Sequence, residues 1–258
     1  GGMDTRNILA ALLNLKIPLH LYTYGNPESR DGFVTKQISK KFKLDHEIYD
    51  IKLTTGIFRN KAQEILNMGN SLASIHRVHR ILAVEKEAEN ADMMFLGSLG
   101  SEYIKGAHIN DYIISYFVKE WWEGAYENKR ELIKKHLKRY FLNSKIVDIG
   151  KIQEHFRKQP YFGSDHDKNE FYILSLLTSR LHDAQDINLY SNKLWTIPVF
   201  TDIDYLEILF CSNHTFMQKN KIKNPVLRRL EKPVFASYVL KYLYPDLGDV
   251  LYDGYYSA

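Results

Sequence analysis

The sequence predicts an α/β protein in which a doubly wound parallel sheet is followed by a mostly helical C-terminal part. Three observations support this fold class. Short apolar segments alternate with segments of helical spacing over roughly the first hundred residues, which is typical of parallel sheets with helices on both faces. Glycines follow several of the apolar segments, at the strand ends where ligands bind in such sheets. Beyond residue 106 the spacing of apolar residues is helical.

The predicted elements alternate regularly along the chain. Amphipathic spacing predicts a first helix over residues 4–16, which ends near Pro18. The predicted strands cover residues 19–24, 46–51 and 92–97, and further helices cover residues 31–43, 56–68 and 76–90. The three strands should be parallel neighbours. We expect residues 1–106 to form a core that carries the site, and residues 107–258 to form a helical region of the same domain.

The composition is that of an ordinary globular protein. Of 258 residues, 45% are hydrophobic and 26% charged, and the net charge of +4 does not by itself indicate nucleic acid. The single cysteine, Cys211, excludes an internal disulfide and a cysteine metal cluster, and its apolar neighbours predict a buried, inert thiol. No apolar run reaches the length of a membrane span and no signal peptide is evident, so we expect a cytoplasmic protein without a membrane partner.

The first residues combine the features of a phosphate-binding loop. Gly-Gly-Met-Asp-Thr, residues 1–5, precedes an apolar helical run. Glycines let an anion approach backbone N–H groups, and the first turn of a helix adds unpaired N–H groups and a partial positive charge. Asp4 beside a phosphate requires a cation such as Mg²⁺ between them. The alternative is a glycine tag scar, with Asp4 acting only as a helix cap.

A phosphate loop of this kind normally follows a strand. No strand precedes Gly1. We therefore expect that the first strand of the sheet is missing from this chain, and that the upstream coding sequence would supply it.

A second glycine-bearing loop is similar to a loop of a known protein family. Residues 97–106, Gly-Ser-Leu-Gly-Ser-Glu-Tyr-Ile-Lys-Gly, resemble the second pyrophosphate loop of asparagine synthetases, Ser-Gly-Glu-Gly-Ser-Asp-Glu-X-X-Gly-Gly. Residues 1–5 resemble the Ser-Gly-Gly-X-Asp-Ser loop of ATP pyrophosphatases. Further matches lie in the same order at residues 22–25, 29–31, 44–46 and 197–207. The order and spacing of the matches make the set more specific than any one of them.

The resemblance implies the synthetase half of asparagine synthetase, with an adenine nucleotide alpha hydrolase-like, Rossmann-like fold. The implied reaction is attack of a carboxylate on the α-phosphate of ATP, which gives an acyl-adenylate and Mg-pyrophosphate and is followed by capture by an amine. The implied cofactors are ATP and Mg²⁺. The implied partners are a small-molecule or peptide carboxylate, ammonia or another amine donor, and a glutaminase domain or subunit that would release the ammonia.

The resemblance also assigns roles to individual residues. In the first loop, pyrophosphate would be bound by Gly1, Gly2, Asp4 and Thr5. In the second loop, the nucleotide would be met by Gly97, Ser98, Gly100, Ser101 and Glu102. Asp4 and Glu102 would hold Mg²⁺, and Glu102 is the candidate catalytic residue. Tyr24 and Gly25 would flank adenine.

The sequence departs from the family pattern at several positions. Leu99 stands where the family has a glutamate that acts as a base, Glu102 where it has an aspartate, and Tyr103 where it has a further glutamate. A leucine can neither take a proton nor hold a charge. The family's C-terminal catalytic lysine has no clear match, and the candidates are Lys223, Lys232 and Lys241. Whether the chain is an enzyme stays open.

Three functions follow from these observations. The first is an amide-forming, ATP-dependent ligase, impaired in this chain. The second is a catalytically inactive nucleotide-binding or scaffold relative, which Leu99 favours over the first. The third is an RNA-modifying ATP pyrophosphatase that uses the basic residues of segment 128–141. We do not expect nucleic acid as a partner, because charge runs usually lie on the solvated face of a helix.

Overall fold

In the computed structural model, the described residues are 2–69, 74–100, 103, 183–212 and 234–250. These ranges form a mixed α/β structure with short pairs of parallel strands. The elements are α1 (Met3–Asn14), β1 (His20–Tyr24), α2 (Arg30–Phe42), β2 (Asp45–Tyr49), α3 (Thr55–Met68), α4 (Val78–Glu87), β3 (Met93–Leu96), α5 (Ala184–Ser191), β4 (Trp195–Pro198), α6 (Ile203–Cys211), α7 (Val234–Leu243) and α8 (Pro245–Gly248). Single turns of 3₁₀ helix precede α4 at Ile75–Arg77 and follow β4 at Val199–Thr201.

The helices and strands predicted for the first hundred residues are present, with ends close to those expected. Local capping explains several of the ends. The Ser29 hydroxyl accepts the Gly32 N–H at 3.2 Å and begins α2, and Lys43 ends it in the left-handed conformation with φ 53°. Thr54 caps α3 in the same way as Ser29 caps α2, accepting the Ile57 N–H.

The pairing of the strands differs from the sequence prediction in one respect. β1 pairs in parallel with β2, with His20 opposite Asp45 and Tyr24 opposite Tyr49. β3 is parallel too, but in the described residues its partner is β4, with Met93 opposite Trp195, rather than β1 or β2. The expectation of three neighbouring strands is therefore wrong. β4 was not predicted from the sequence, because a four-residue strand that ends at Pro198 is too short to show a period.

Two apolar clusters lie on opposite faces of β1, because consecutive strand residues point to opposite faces. The first cluster includes Leu21 of β1 and is formed mainly by α1, α2, α6, α7 and α8. The second cluster includes Tyr22 of β1 and is formed mainly by α3, α4 and α5. Helices therefore cover both faces of the strand that leads to Gly25.

Cys211 is exposed at the end of α6, which corrects the prediction of a buried thiol. This helix buries only Leu209 fully, and two of its other apolar residues, Ile203 and Ile208, also face solvent. An apolar run does not reveal which side of a helix is covered.

Several sequence predictions concern the C-terminal half of the chain, much of which lies outside the described residues. The basic segment 128–141 and the lysine candidates Lys223 and Lys232 lie outside the described residues, as does most of the helical region 107–258. Lys241 is exposed on α7. In the described ranges, every helix is too short or too polar to cross a lipid bilayer.

A buried carboxylate, Glu87 of α4, is held between β1 and β2. Its Oε2 atom accepts the Tyr49 hydroxyl at 3.1 Å and lies 3.5 Å from His20 Nε2. Burial raises the pKa of Glu87, and the negative charges of Glu47 and Asp45 act in the same direction against the opposing effects of His20 and Tyr49. The folded protein therefore binds this proton more tightly than the unfolded chain does.

This carboxyl group should make the stability depend on pH. Its contribution is complete below the ordinary pKa of 4.5 and is lost as the pH rises through the raised pKa of the folded state. We expect Glu87→Gln to reduce the fall in Tm between pH 4.5 and pH 7. The matched control is Glu89→Gln, which changes an exposed residue of the same turn. Equal pH profiles for both variants and the original chain would show that Glu87 does not titrate in this window.

Candidate functional site

The first turn of α1 lies directly against the loop that follows β3. A Cβ atom added at Gly97 would lie 3.0 Å from Thr5 Cγ2 and 3.2 Å from the Thr5 backbone nitrogen. A Cβ added at Gly100 would lie only 2.8 Å from Asp4 Cγ and 2.9 Å from Asp4 Oδ1. Real Cβ atoms essentially never come as close as 2.8 Å to another heavy atom. Glycine is therefore the residue that permits the approach at position 100.

This contact joins two loops that are far apart in the sequence. β3 ends at Leu96, so Gly97 and Gly100 lie beyond its carboxyl end. The N-terminus of α1 reaches the same edge through Asp4 and Thr5. Asp4 is half-buried there, whereas Thr5 is exposed and donates its hydroxyl to the Gly2 carbonyl at 3.0 Å.

The segment after β4 packs against this contact from a third side. Its residues were not among the site residues predicted from the sequence. The Phe200 ring carbon Cε2 lies 2.9 Å from the position of a Cβ at Gly100. The rings of Phe200 and Tyr205 pack edge to face with centroids 5.3 Å apart. Burial, and then the negative charge of Asp4, raise the pKa of Tyr205, so its hydroxyl stays protonated. The only signal for this side was the family match at residues 197–207.

Leu99 does not line this contact but belongs to the core. Its side chain is 1% exposed and is a member of the first cluster. Its φ angle of 71° places the residue in the left-handed region, which is unfavourable for a leucine. The Tyr103 N–H donates to the Leu99 carbonyl at 3.0 Å, and the Tyr103 ring is buried edge to face against Phe210. The positions where the family has glutamates are therefore occupied here by packed core residues.

Arg6 is also a core residue, although a cation beside a phosphate loop invites a binding role. The residue is 1% exposed, and its Nη1 atom donates to the Val250 carbonyl at 2.6 Å. This bond joins α1 to the chain beyond α8. The helical spacing of the sequence did not reveal that a guanidinium group lies on the inward side.

The turn after β1 is stabilised by its own hydrogen bond, apart from the contact of Asp4 and Thr5 with the glycines. Gly25 has φ 113°, which L side chains rarely adopt, and its N–H donates to the Tyr49 carbonyl at 2.9 Å. A Cβ added at Gly25 would meet no heavy atom within 4 Å, so the turn borders open space. The Tyr24 ring packs against His79 with centroids 5.5 Å apart. Burial lowers the pKa of His79, and the charge of Arg80 lowers it further.

The structure thus places some of the predicted site residues together and leaves others undescribed. Asp4, Thr5, Gly97 and Gly100 meet at one point, and Ser98 is half-buried in the turn between the two glycines. Tyr24 and Gly25 lie at the carboxyl end of β1, where the Tyr24 ring packs against His79. Gly1, Ser101 and Glu102 lie outside the described residues, and Gly2 is exposed. In the described part of the chain, no group of three or more His, Cys, Asp or Glu side chains could hold a metal ion.

Comparisons of the chain with protein-family models, with curated proteins and with solved structures find no match.

Proposed function

We propose that the chain is an asparagine synthetase-like nucleotide-binding domain that binds Mg-ATP where α1 meets the loop after β3. The observation that carries the proposal is the contact of Asp4 and Thr5 with Gly97 and Gly100, which joins two glycine-bearing loops at the carboxyl end of a parallel strand. In a doubly wound sheet, this edge is where ligands bind. Helix N-termini and glycine loops supply N–H groups to phosphates.

The residues divide into two groups in this proposal. Gly1, Gly2, Asp4 and Thr5, with Ser101, would surround the pyrophosphate part of ATP. Gly97, Ser98 and Gly100 would lie beside the nucleoside, with Tyr24 and Gly25 on its adenine side. Asp4 and Glu102 would hold Mg²⁺, whose charge offsets the repulsion between the carboxylates and the phosphates.

Amide formation has less support from the residues present than nucleotide binding has. In the ligase reaction, a carboxylate displaces pyrophosphate from ATP to form an acyl-adenylate, and an amine then displaces AMP to form the amide. The family's base position is occupied by Leu99, which is buried in the first cluster. Loss of a positioned base typically lowers the rate by about a hundredfold or more. We therefore propose nucleotide binding with little or no amide formation unless Glu102 takes over the role of the base.

Binding of Mg-ATP should depend on the close approach at Gly100. We expect the chain to bind Mg-ATP weakly and Gly100→Ala to weaken binding by roughly tenfold or more, equivalent to about 1.4 kcal/mol. The added methyl group would displace the Asp4 carboxylate and the Phe200 ring. Isothermal titration calorimetry with Mg-ATP measures the effect. The matched control is Gly56→Ala, because a Cβ at Gly56 meets no atom within 4 Å.

Equal affinities for Gly100→Ala and Gly56→Ala, with both variants folded, would place the nucleotide elsewhere. Turnover is a separate measurement. Pyrophosphate release from Mg-ATP, tested with a panel of carboxylates and ammonia, should stay near background. Robust release by the 258-residue chain would contradict the proposed loss of the base.

A further inference from the structure

The segment between β4 and α6 is held by local hydrogen bonds. The Thr201 hydroxyl donates to the Pro198 carbonyl at 2.7 Å, across the single turn of 3₁₀ helix that follows β4. The Asp202 carboxylate then begins α6 by accepting the Tyr205 N–H at 3.1 Å. The backbone that carries the Tyr205 side chain is therefore positioned by the protein's own contacts.

The half-buried Tyr205 ring lies next to the place where Asp4 approaches Gly100. The ring packs edge to face on Phe200 and also against the first cluster. Phe200 is buried, and its Cε2 atom and the Asp4 Cγ atom lie 2.9 Å and 2.8 Å from the same point, the position of a Cβ at Gly100. Asp4 and Phe200 are therefore immediate neighbours, and Tyr205 packs directly on this pair through the Phe200 ring.

The Tyr205 hydroxyl lies within the influence of the Asp4 carboxylate. Burial raises the pKa of Tyr205, and the negative charge of Asp4 raises it further, so the hydroxyl keeps its proton and can donate it in a hydrogen bond. Asp4 acts on Tyr205 through its charge, without a hydrogen bond between the two side chains. A carboxylate and a hydroxyl placed in this way can share one anionic ligand, because the hydroxyl binds a phosphate oxygen directly and the carboxylate binds it through a cation.

We propose that Tyr205 is a further phosphate-binding residue, whose hydroxyl donates to an oxygen of the pyrophosphate part of ATP beside Asp4. The inference rests on the nucleotide site proposed above and adds a side-chain donor from α6 to it. The Thr5 hydroxyl proton is already donated to the Gly2 carbonyl, so Tyr205 supplies a hydroxyl donor that the first loop does not. A hydrogen bond to a charged phosphate oxygen is stronger than one between neutral groups.

The test removes the hydroxyl and keeps the ring. Tyr205→Phe retains the edge-to-face packing on Phe200, and the matched control is Tyr242→Phe, which makes the same change at a residue of α7 that is 88% exposed. Isothermal titration calorimetry measures the affinity of the original chain and of both variants for Mg-ATP and, separately, for Mg-pyrophosphate. The Tm of each chain is recorded without ligand, because a structural role of the hydroxyl would change this value.

We expect Tyr205→Phe to weaken the binding of both ligands by about tenfold, as for a lost hydrogen bond to a charged group, and to leave the ligand-free Tm unchanged. Tyr242→Phe should change neither quantity. Equal affinities of Tyr205→Phe and the original chain would overturn the role of Tyr205 and leave the nucleotide site standing. A loss for Mg-ATP alone, or a loss that comes with a lower ligand-free Tm, would also overturn it. If the original chain binds neither ligand, the proposed site itself is wrong, and the role of Tyr205 falls with it.

Discussion

Leu99→Glu is expected to destabilise the protein by roughly 3–5 kcal/mol at pH 7, the range typical of an uncompensated buried charge. The family resemblance suggests the opposite, namely that a glutamate here would restore a catalytic base. The structure places the side chain inside the first cluster, 1% exposed. A carboxylate in that position has no water around it and displaces apolar contacts. Because the total stability of a domain is only about 5–15 kcal/mol, much of it would be lost.

Two further variants separate charge from shape. Leu99→Met keeps an apolar side chain of similar volume and should cost less than about 1.5 kcal/mol. Leu99→Gln has nearly the shape of glutamate without its charge, and it should fall between the two. Burial raises the pKa of a carboxyl group, so Leu99→Glu should recover part of its stability when the pH is lowered. Urea unfolding at pH 4.5 and pH 7 measures all three variants. If Leu99→Glu instead unfolds like the original chain and gains pyrophosphate release, residue 99 faces the nucleotide.

Asp186→Asn is the second change with a large expected effect, a loss of roughly 3–5 kcal/mol. Asp186 of α5 accepts from two arginines, with Arg77 Nε at 3.2 Å from Oδ1 and Arg80 Nη1 at 3.1 Å from Oδ2. The side chains of Arg77 and Asp186 are 6% and 7% exposed. An asparagine there would remove the negative charge that Asp186 places against the buried Arg77 and the half-buried Arg80. The pair joins α4 to α5, so its loss should loosen the second cluster.

The matched control is Asp204→Asn, which makes the same chemical change at an exposed residue in the first turn of α6. Chemical unfolding of both variants gives the two free energies. We expect Asp204→Asn to stay within about 0.5 kcal/mol of the original chain, as is usual for surface changes. If Asp186→Asn is equally mild, water or a neighbouring group stabilises the two arginines, and the ion pair does not hold α5 in place.

The sequence by itself determined the secondary structure of the first hundred residues. Periodicity and capping residues are local properties, so the helices and strands are recognisable without knowledge of their partners. The same holds for the glycine loops. The sequence shows that a glycine stands at residue 100, whereas the reason for it, the close approach of Asp4, is a tertiary contact. The resemblance to a nucleotide-binding family placed both loops at the same site, and the geometry brings Asp4 and Thr5 against Gly97 and Gly100.

Only the tertiary structure decided which side chains face inward and which strands pair. Leu99 turns into the core with a left-handed backbone angle, and the buried guanidinium group of Arg6 donates to the carbonyl of Val250, which is distant in the sequence. Cys211 is exposed because it lies off the side of α6 that packs on the first cluster, where Leu209 is buried. β3 pairs with β4, about a hundred residues further along the chain. Each of these outcomes depends on a contact between distant segments, and such contacts leave no period or spacing in the residues around them.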